Sequence, residues 1–326
     1  MKKSVYIRGL VAQGWYNFTE GLVQCLLLKP IDKNLIYNKH IKYGNGKLQY
    51  INFFSRKDLS HKKKPLLIYI HGGSWVSGIT EMRNSYIAEW AKMGFVTAAV
   101  SYSYAPQKIY PYQLQEMFNA IDYILDNADE YEIDINNIVL AGESAGGYFI
   151  SYACSVIKNR YFLTENNLTF RNVDLFKVKG LVSISGCYDL RRLCDKSKPQ
   201  SGFPDLKTMI KSYLGMPYDE AVEYLFSDRG ANVSPVVNEA YPPSFIIWAD
   251  KDLLRYESFD FADQLNDCNV PNSLYKADGI IGMHAWPIVT LFRKTYSCLD
   301  ATFDFILPLL DDYFEKEDTW FYKTDK

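Results

Sequence analysis

Histidine is scarce in this chain of 326 residues: there are four, His40, His61, His71 and His284. None belongs to an H-E-x-x-H run or a His/Cys cluster, so no zinc site is suggested. There is no P-loop, and the Gly44-x-Gly46 pair meets Gln49 where a dinucleotide fingerprint needs its third glycine. No cofactor is therefore implied. The six cysteines, Cys25, Cys154, Cys187, Cys194, Cys268 and Cys298, form no C-x-x-C pair. Free thiols in a reducing cytoplasm are the simplest reading, and we expect a cytoplasmic protein. A basic excess is also missing, with 36 Lys and Arg against 38 Asp and Glu and a formal net charge of −2. That leaves no electrostatic footprint for nucleic acid. Long apolar runs are absent too. Cys25–Leu28 is far too short to cross a bilayer. Behind Met1-Lys2-Lys3, the residues Arg8, Gln13, Asn17 and Glu20 interrupt every stretch that would make a signal-peptide core. The expected partner is a small molecule, without nucleic acid or stable membrane insertion; the oligomeric state is left open.

What is present is ordinary globular material, 48% apolar and 23% charged. Aromatic residues reach 16%, with 26 Tyr, which we read as an aromatic-rich core. Ile7, Leu10, Val11, Trp15, Phe18, Leu22, Cys25 and Leu26 recur at helical spacing. We expect an amphipathic helix that packs this face on the body of the protein. A membrane-surface helix is the sharper alternative, less favoured because the polar face carries few Lys and Arg. Residues 38–54 read as a hairpin turning at Tyr43-Gly44-Asn45-Gly46. The basic segment Arg56–Lys64 reads as a solvated loop.

A repeating pattern follows. Short apolar runs at Leu66–Ile70, Val96–Val100, Ile138–Ala141, Leu181–Ser185 and Phe245–Ala249 alternate with amphipathic stretches near 81–93, 112–128 and 145–158. A last strand is expected near Ser273–Ala277 and a last helix over Ser297–Phe314, bent at Pro308. Such alternation predicts an α/β fold with a mostly parallel sheet between helices. Between Gly186 and Pro243 the rhythm breaks into polar, irregular sequence with Pro199, Pro204, Pro217 and Pro235, too long for a simple loop. We read one domain over 1–326, with residues 1–37 as a helical cap segment and 187–243 as a cap-like insertion ahead of the acid-bearing strand.

The strongest chemical signal is Gly142-Glu143-Ser144-Ala145-Gly146, the one G-x-S-x-G in the chain. It follows the run Ile138–Ala141 and opens a helical stretch, the strand–turn–helix that a nucleophile elbow needs. Such a turn strains the serine backbone and exposes its hydroxyl at a helix N-terminus, where developing negative charge is favoured. A plain Gly-rich turn with Ser144 as an N-cap is the structural alternative. His71-Gly72-Gly73-Ser74-Trp75 follows the run Leu66–Ile70. Glycine lets a backbone approach closely, so Gly72 and Gly73 are candidate oxyanion donors, with the Ala145 N–H as a third. His71 reads as a brace for that loop. Of the four histidines only His284 lies downstream of Ser144, which makes it the candidate base. The acid is expected past a strand end between them. Asp252 is favoured, Asp250 is the fallback, and Asp189 is a third choice.

Together these segments resemble the hormone-sensitive-lipase-like branch of the α/β-hydrolase esterases, near its acetylesterase and carboxylesterase members. The likeness rests on His71-Gly72-Gly73-Ser74-Trp75, Tyr102-Ser103-Tyr104-Ala105-Pro106, Gly142-Glu143-Ser144-Ala145-Gly146-Gly147, Asp252-Leu253-Leu254 and His284-Ala285-Trp286, across residues 64–290. It implies an eight-stranded sheet, Ser144, Asp252 and His284 as the catalytic triad, and Gly72, Gly73 and Ala145 as the oxyanion hole. The implied function is a serine carboxylesterase acting on short-chain acyl esters through an acyl-enzyme. Two departures stand out: Ser74 replaces a third glycine, which narrows the pocket, and Leu253 replaces a proline after the acid. The H-G-G-x-W form also resembles kynurenine formamidases, which gives an arylformamidase as the alternative. A non-catalytic binding protein on the same scaffold is the second. The insertion carries Ser201, Asp205, Lys207, Lys211, Asp219 and Glu220, too polar for a lipase lid. Trp75 or Trp286 stacking on a sugar would make a carbohydrate acetylesterase.

Overall fold

The computed structural model describes residues 1–27, 29–59, 62–194, 205–230, 233–278 and 284–310. Eight strands form one sheet: β1 (Leu35–Lys42), β2 (Tyr50–Arg56), β3 (Lys64–Ile70), β4 (Val96–Val100), β5 (Ile133–Glu143), β6 (Val178–Ile184), β7 (Ser244–Trp248) and β8 (Asn272–Lys276). Their order is β1-β2-β4-β3-β5-β6-β7-β8. The β1–β2 and β2–β4 pairs are antiparallel and all the others parallel. Ten helices lie around it among the described residues: α1 (Lys3–Leu27), α2 (Asn84–Lys92), α3 (Tyr112–Asp126), α4 (Ala145–Lys158), α5 (Tyr161–Glu165), α6 (Leu190–Leu193), α7 (Leu206–Leu214), α8 (Tyr218–Leu225), α9 (Arg255–Asp267) and α10 (Arg293–Ile306). This is the α/β-hydrolase architecture that the sequence implied.

The central strands are largely apolar because both faces are covered. Every residue of β3 and β4 is buried. Successive side chains of a strand point to opposite faces. Leu66, Ile68 and Ile70 join the core under α3, α4 and α9, while Leu67 and Tyr69 join the core under α2 and α10. Each such Leu or Ile contributes roughly 1.5–3 kcal/mol by leaving water. Parallel strands also share a polarity, so the loops that leave their C-terminal ends converge on one edge of the sheet.

Three expectations are corrected. The last helix starts at Arg293, four residues earlier than expected, and its α-helical hydrogen bonding ends at Ile306; residues 307–309 continue as a tighter 3-10 turn containing Pro308. Residues beyond 310 lie outside the described residues. The insertion is less irregular than its composition suggested, since it holds α6, α7 and α8. Asp189 and Asp205 cap the first two, each accepting a hydrogen bond from an N–H of the first turn.

The third correction concerns α1. It does pack on the body, but through a different face. Val5, Gly9 and Ala12 are buried, whereas Ile7, Val11, Trp15, Phe18 and Leu22 face solvent. The reason is steric. Gly9 allows α1 to lie close against α7 and the loop after β4: a Cβ there would stand 2.8 Å from Ser212 Oγ and 2.9 Å from Pro106 Cγ. A small-residue face seats a helix more closely than a bulky one.

Candidate active site

Ser144 stands between β5 and α4 with φ 55° and ψ −119°. A left-handed φ is uncommon outside glycine and holds the chain in a tight elbow. The elbow is locked from both sides: the Ser144 N–H donates to Ile184 O at 3.0 Å, and its carbonyl accepts from the Cys187 N–H at 3.2 Å. Glycine is required at 146, where a Cβ would sit 2.0 Å from the Ile70 carbonyl oxygen. Ser144 itself is half-buried at the N-terminus of α4, so its hydroxyl sits at the positive end of that helix.

Asp252 and His284 meet. Asp252 follows β7 and is fully buried. Its Oδ1 lies 2.9 Å from His284 Nδ1 and accepts the Leu254 N–H at 2.8 Å. Burial pushes the carboxyl pKa up, but the His284 charge and hydrogen bond, with the Ser185 hydroxyl and Leu254 N–H, outweigh it and hold the group below its usual value. For His284, burial depresses the pKa, and the charge and hydrogen bond of Asp252 then carry it above the ordinary value of 6.5. The ring remains a third exposed, open to a substrate. Asp250 is engaged elsewhere, with Oδ2 2.8 Å from Lys276 Nζ at the surface. Asp189 caps α6 and holds Arg191. The Ser144 hydroxyl makes no hydrogen bond among the described residues, with His284 or with any other group. Such contacts often tighten only when substrate binds.

The loop after β3 is set by two buried groups. His71 stacks on Tyr102, with ring centroids 4.4 Å apart, and its Nδ1 lies 2.7 Å from Gly72 O. Burial, then the Arg83 charge, lowers its pKa to about 4, so it is neutral at pH 7 and acts as a brace. Glu143 is the second group. Its Oε1 accepts the Gly72 N–H at 2.8 Å and Arg83 Nε at 2.7 Å, and its Oε2 accepts the Tyr69 hydroxyl at 2.5 Å. This corrects one expectation: the Gly72 N–H is already given to Glu143 and is not free for an oxyanion. The Gly73, Ser74 and Ala145 N–H groups have no partner among the described residues. Gly73 takes φ 122°, a conformation that glycine alone adopts without strain, and its carbonyl accepts the Val76 and Ser77 N–H groups, both at 3.0 Å. That turn leaves its own N–H unspent.

With this geometry in place, the comparisons decide the family. Residues 54–262 match the family model described as BD-FAE. The chain belongs to the BD-FAE family. A putative α/β hydrolase of Acanthamoeba polyphaga mimivirus is 26% identical over 223 residues, 67% of this chain and 60% of that protein. Esterase LipC of Mycobacterium tuberculosis is 28% identical over 172 residues, 52% of this chain and 40% of that protein. The chain thus spans 60% and 40% of the length of these two curated relatives. Esterase B from Lactobacillus Rhamnosis superposes with a TM-score of 0.80 at 14% identity, over 94% of this chain and 95% of its own, which shows a shared fold.

Two features of this BD-FAE member were not visible in its sequence. Ser185, at the end of β6, accepts the Ala285 N–H on Oγ at 3.1 Å and neighbours Asp252, so one hydroxyl ties the histidine loop to the acid. Neither tryptophan offers an open face for a sugar. Trp75 is buried and stacked on Tyr213 at 4.9 Å, and buried Trp286 donates Nε1–H to Ala277 O at 3.3 Å.

Proposed function

We propose that this chain is a serine carboxylesterase, with Ser144 as nucleophile, His284 as general base and acid, and Asp252 as the orienting carboxylate. The reading is carried by one observation above all: a buried carboxylate bonded to a part-exposed histidine, 2.9 Å from Oδ1 to Nδ1, in a chain whose G-x-S-x-G serine sits on a strained elbow. Asp252 fixes the tautomer that leaves His284 Nε2 free to accept a proton. The Ser144 oxygen attacks the ester carbonyl carbon as its proton passes to His284. The carbonyl electron pair moves onto oxygen, where the Gly73 and Ala145 N–H groups, and that of Ser74 in place of Gly72, receive it. Collapse expels the alcohol, which takes the proton from His284. Water, deprotonated by His284, then releases the acid from the acyl-enzyme.

We also propose that α1 and residues 187–243 act as one cap over this edge of the sheet. Gln13 Nε2 of α1 donates to Val76 O, within the loop after β3, at 2.9 Å, and Tyr16 meets Met209 Sδ of α7 at 3.9 Å. Ser74 and the aromatic packing of Trp75 favour short acyl groups. An organophosphate such as paraoxon tests the reading: one equivalent inactivates the enzyme and peptide mapping finds the adduct on Ser144. Absence of any adduct, or an adduct elsewhere, overturns it. Turnover of N-formylkynurenine in preference to esters would keep the triad and reassign the substrate to an amide.

A further inference from the structure

The outward face of α1 is not explained by the fold or by the catalytic reading. Ile7, Val11, Trp15, Phe18 and Leu22 follow one another at steps of three or four, so they form one stripe. Val11 is 54% exposed, Trp15 51%, Phe18 69% and Leu22 56%. The stripe runs for about 22 Å on the side away from Val5, Gly9 and Ala12, which seat the helix on the body. A helix apolar on two opposite faces ordinarily has a partner on each.

Charge indicates the second partner. The first 22 residues, to the end of the stripe, hold Lys2, Lys3 and Arg8 against the single acid Glu20, in a chain whose formal net charge is −2. Lys2 pairs with Glu220, but Lys3 and Arg8 have no ion-pair partner among the described residues. Arg8 stands near Lys211 on α7: burial first, then the Arg8 charge, draws the Lys211 ammonium below its ordinary value, with Lys207 adding to the effect and Asp205 opposing it. A basic rim thus borders an apolar stripe that carries Trp15 and Phe18.

We propose that this face docks on an anionic lipid surface, with the stripe at the headgroup boundary and Lys3, Arg8 and Lys211 against lipid phosphates. Aromatic side chains suit that depth, and a helix lying in the interface plane needs this combination of apolar area and cationic edge. No described helix is long and apolar enough to cross a membrane, so the contact is peripheral. A second copy fits less well. A stripe about 22 Å long and 10 Å wide falls well short of the about 800 Å² per partner of a stable interface. Pairing it with itself would also bring like-charged rims together.

The test is co-flotation of the full chain with vesicles, read without turnover and so independent of the catalytic reading. The wild type is expected to float with equimolar phosphatidylcholine and phosphatidylglycerol, less with pure phosphatidylcholine, and less as salt rises. The Val11→Ser/Phe18→Ser double variant, folded by circular dichroism and with unchanged hydrolysis of a water-soluble ester, is expected to lose binding. Arg8→Gln is expected to weaken it about fivefold. Failure of the wild type to bind either vesicle overturns the proposal, as does binding that both variants retain. A wild-type dimer in sedimentation that the double variant dissociates, without vesicle binding, would assign the stripe to a second copy instead.

Discussion

At the scale of single residues, Asp252 and Asp250 stand two positions apart with different surroundings. Asp252 is buried against His284, and Asp250 is at the surface with Lys276. Asp252→Asn is therefore expected to lower kcat/KM about 10⁴-fold, because asparagine favours the wrong imidazole tautomer. Asp250→Asn should change it less than about threefold, since exposed pairs contribute little. Steady-state hydrolysis of p-nitrophenyl acetate separates the two, and equal losses would contradict the assignment. The pH profile follows from the same pair. In the proposed mechanism the base, His284, must be neutral, and its pKa is held above 6.5 by Asp252 against the opposing effect of burial. Activity is expected to fall as pH drops through a value above 6.5, and the acid limb of Asp252→Asn should move to lower pH. A limb that stays in place would separate His284 from the base. Much of this was legible beforehand, because a lone downstream histidine and an acid after a strand leave few choices. The fate of the Gly72 N–H was not. The motif treats Glu143 as a variable position, and only the rule that a buried carboxylate must be satisfied points to a bond of that kind.

At the scale of elements, the turn from β5 to α4 is held by contacts that leave no room. Gly146→Ala would place a Cβ about 2.0 Å from the Ile70 carbonyl oxygen and force β3 and α4 apart. We expect a loss of at least about 2 kcal/mol in urea unfolding, together with loss of activity. Glu143 does similar work for the loop after β3. Glu143→Gln removes the carboxylate charge from the buried ion pair with Arg83 and is expected to cost about 3 kcal/mol in the same assay, with reduced turnover. A change below about 0.5 kcal/mol would show that the carboxylate is not needed to hold the loop. The strands themselves were readable, since short, largely apolar runs such as Leu66–Ile70 and Val96–Val100 mark covered parallel strands. Helix ends were less so. The shift of α10 toward Arg293 comes from tertiary packing of Thr295 and Cys298, which are buried, and composition does not signal it.

At the scale of the whole molecule, the sequence pattern identified a first helix with two kinds of face but assigned them wrongly. Periodicity finds an apolar face and does not say what it meets. Here the small residues Gly9 and Ala12 make the intramolecular contact, leaving the bulky stripe outside. Gly9→Leu is accordingly expected to lift α1 from α7, with faster cleavage of the first 30 residues in limited proteolysis and a lower melting temperature. Unaltered proteolysis would mean that the seat does not depend on that approach. The claim that unites fold and site is that Ser144 turns over esters. The most direct measurement follows hydrolysis of p-nitrophenyl acetate, butyrate, octanoate and palmitate by the purified chain beside Ser144→Ala. The account predicts turnover of the short esters and a loss of several orders of magnitude in the variant. A folded protein that hydrolyses none of them, or a Ser144→Ala variant that hydrolyses them as fast as the wild type, would contradict it.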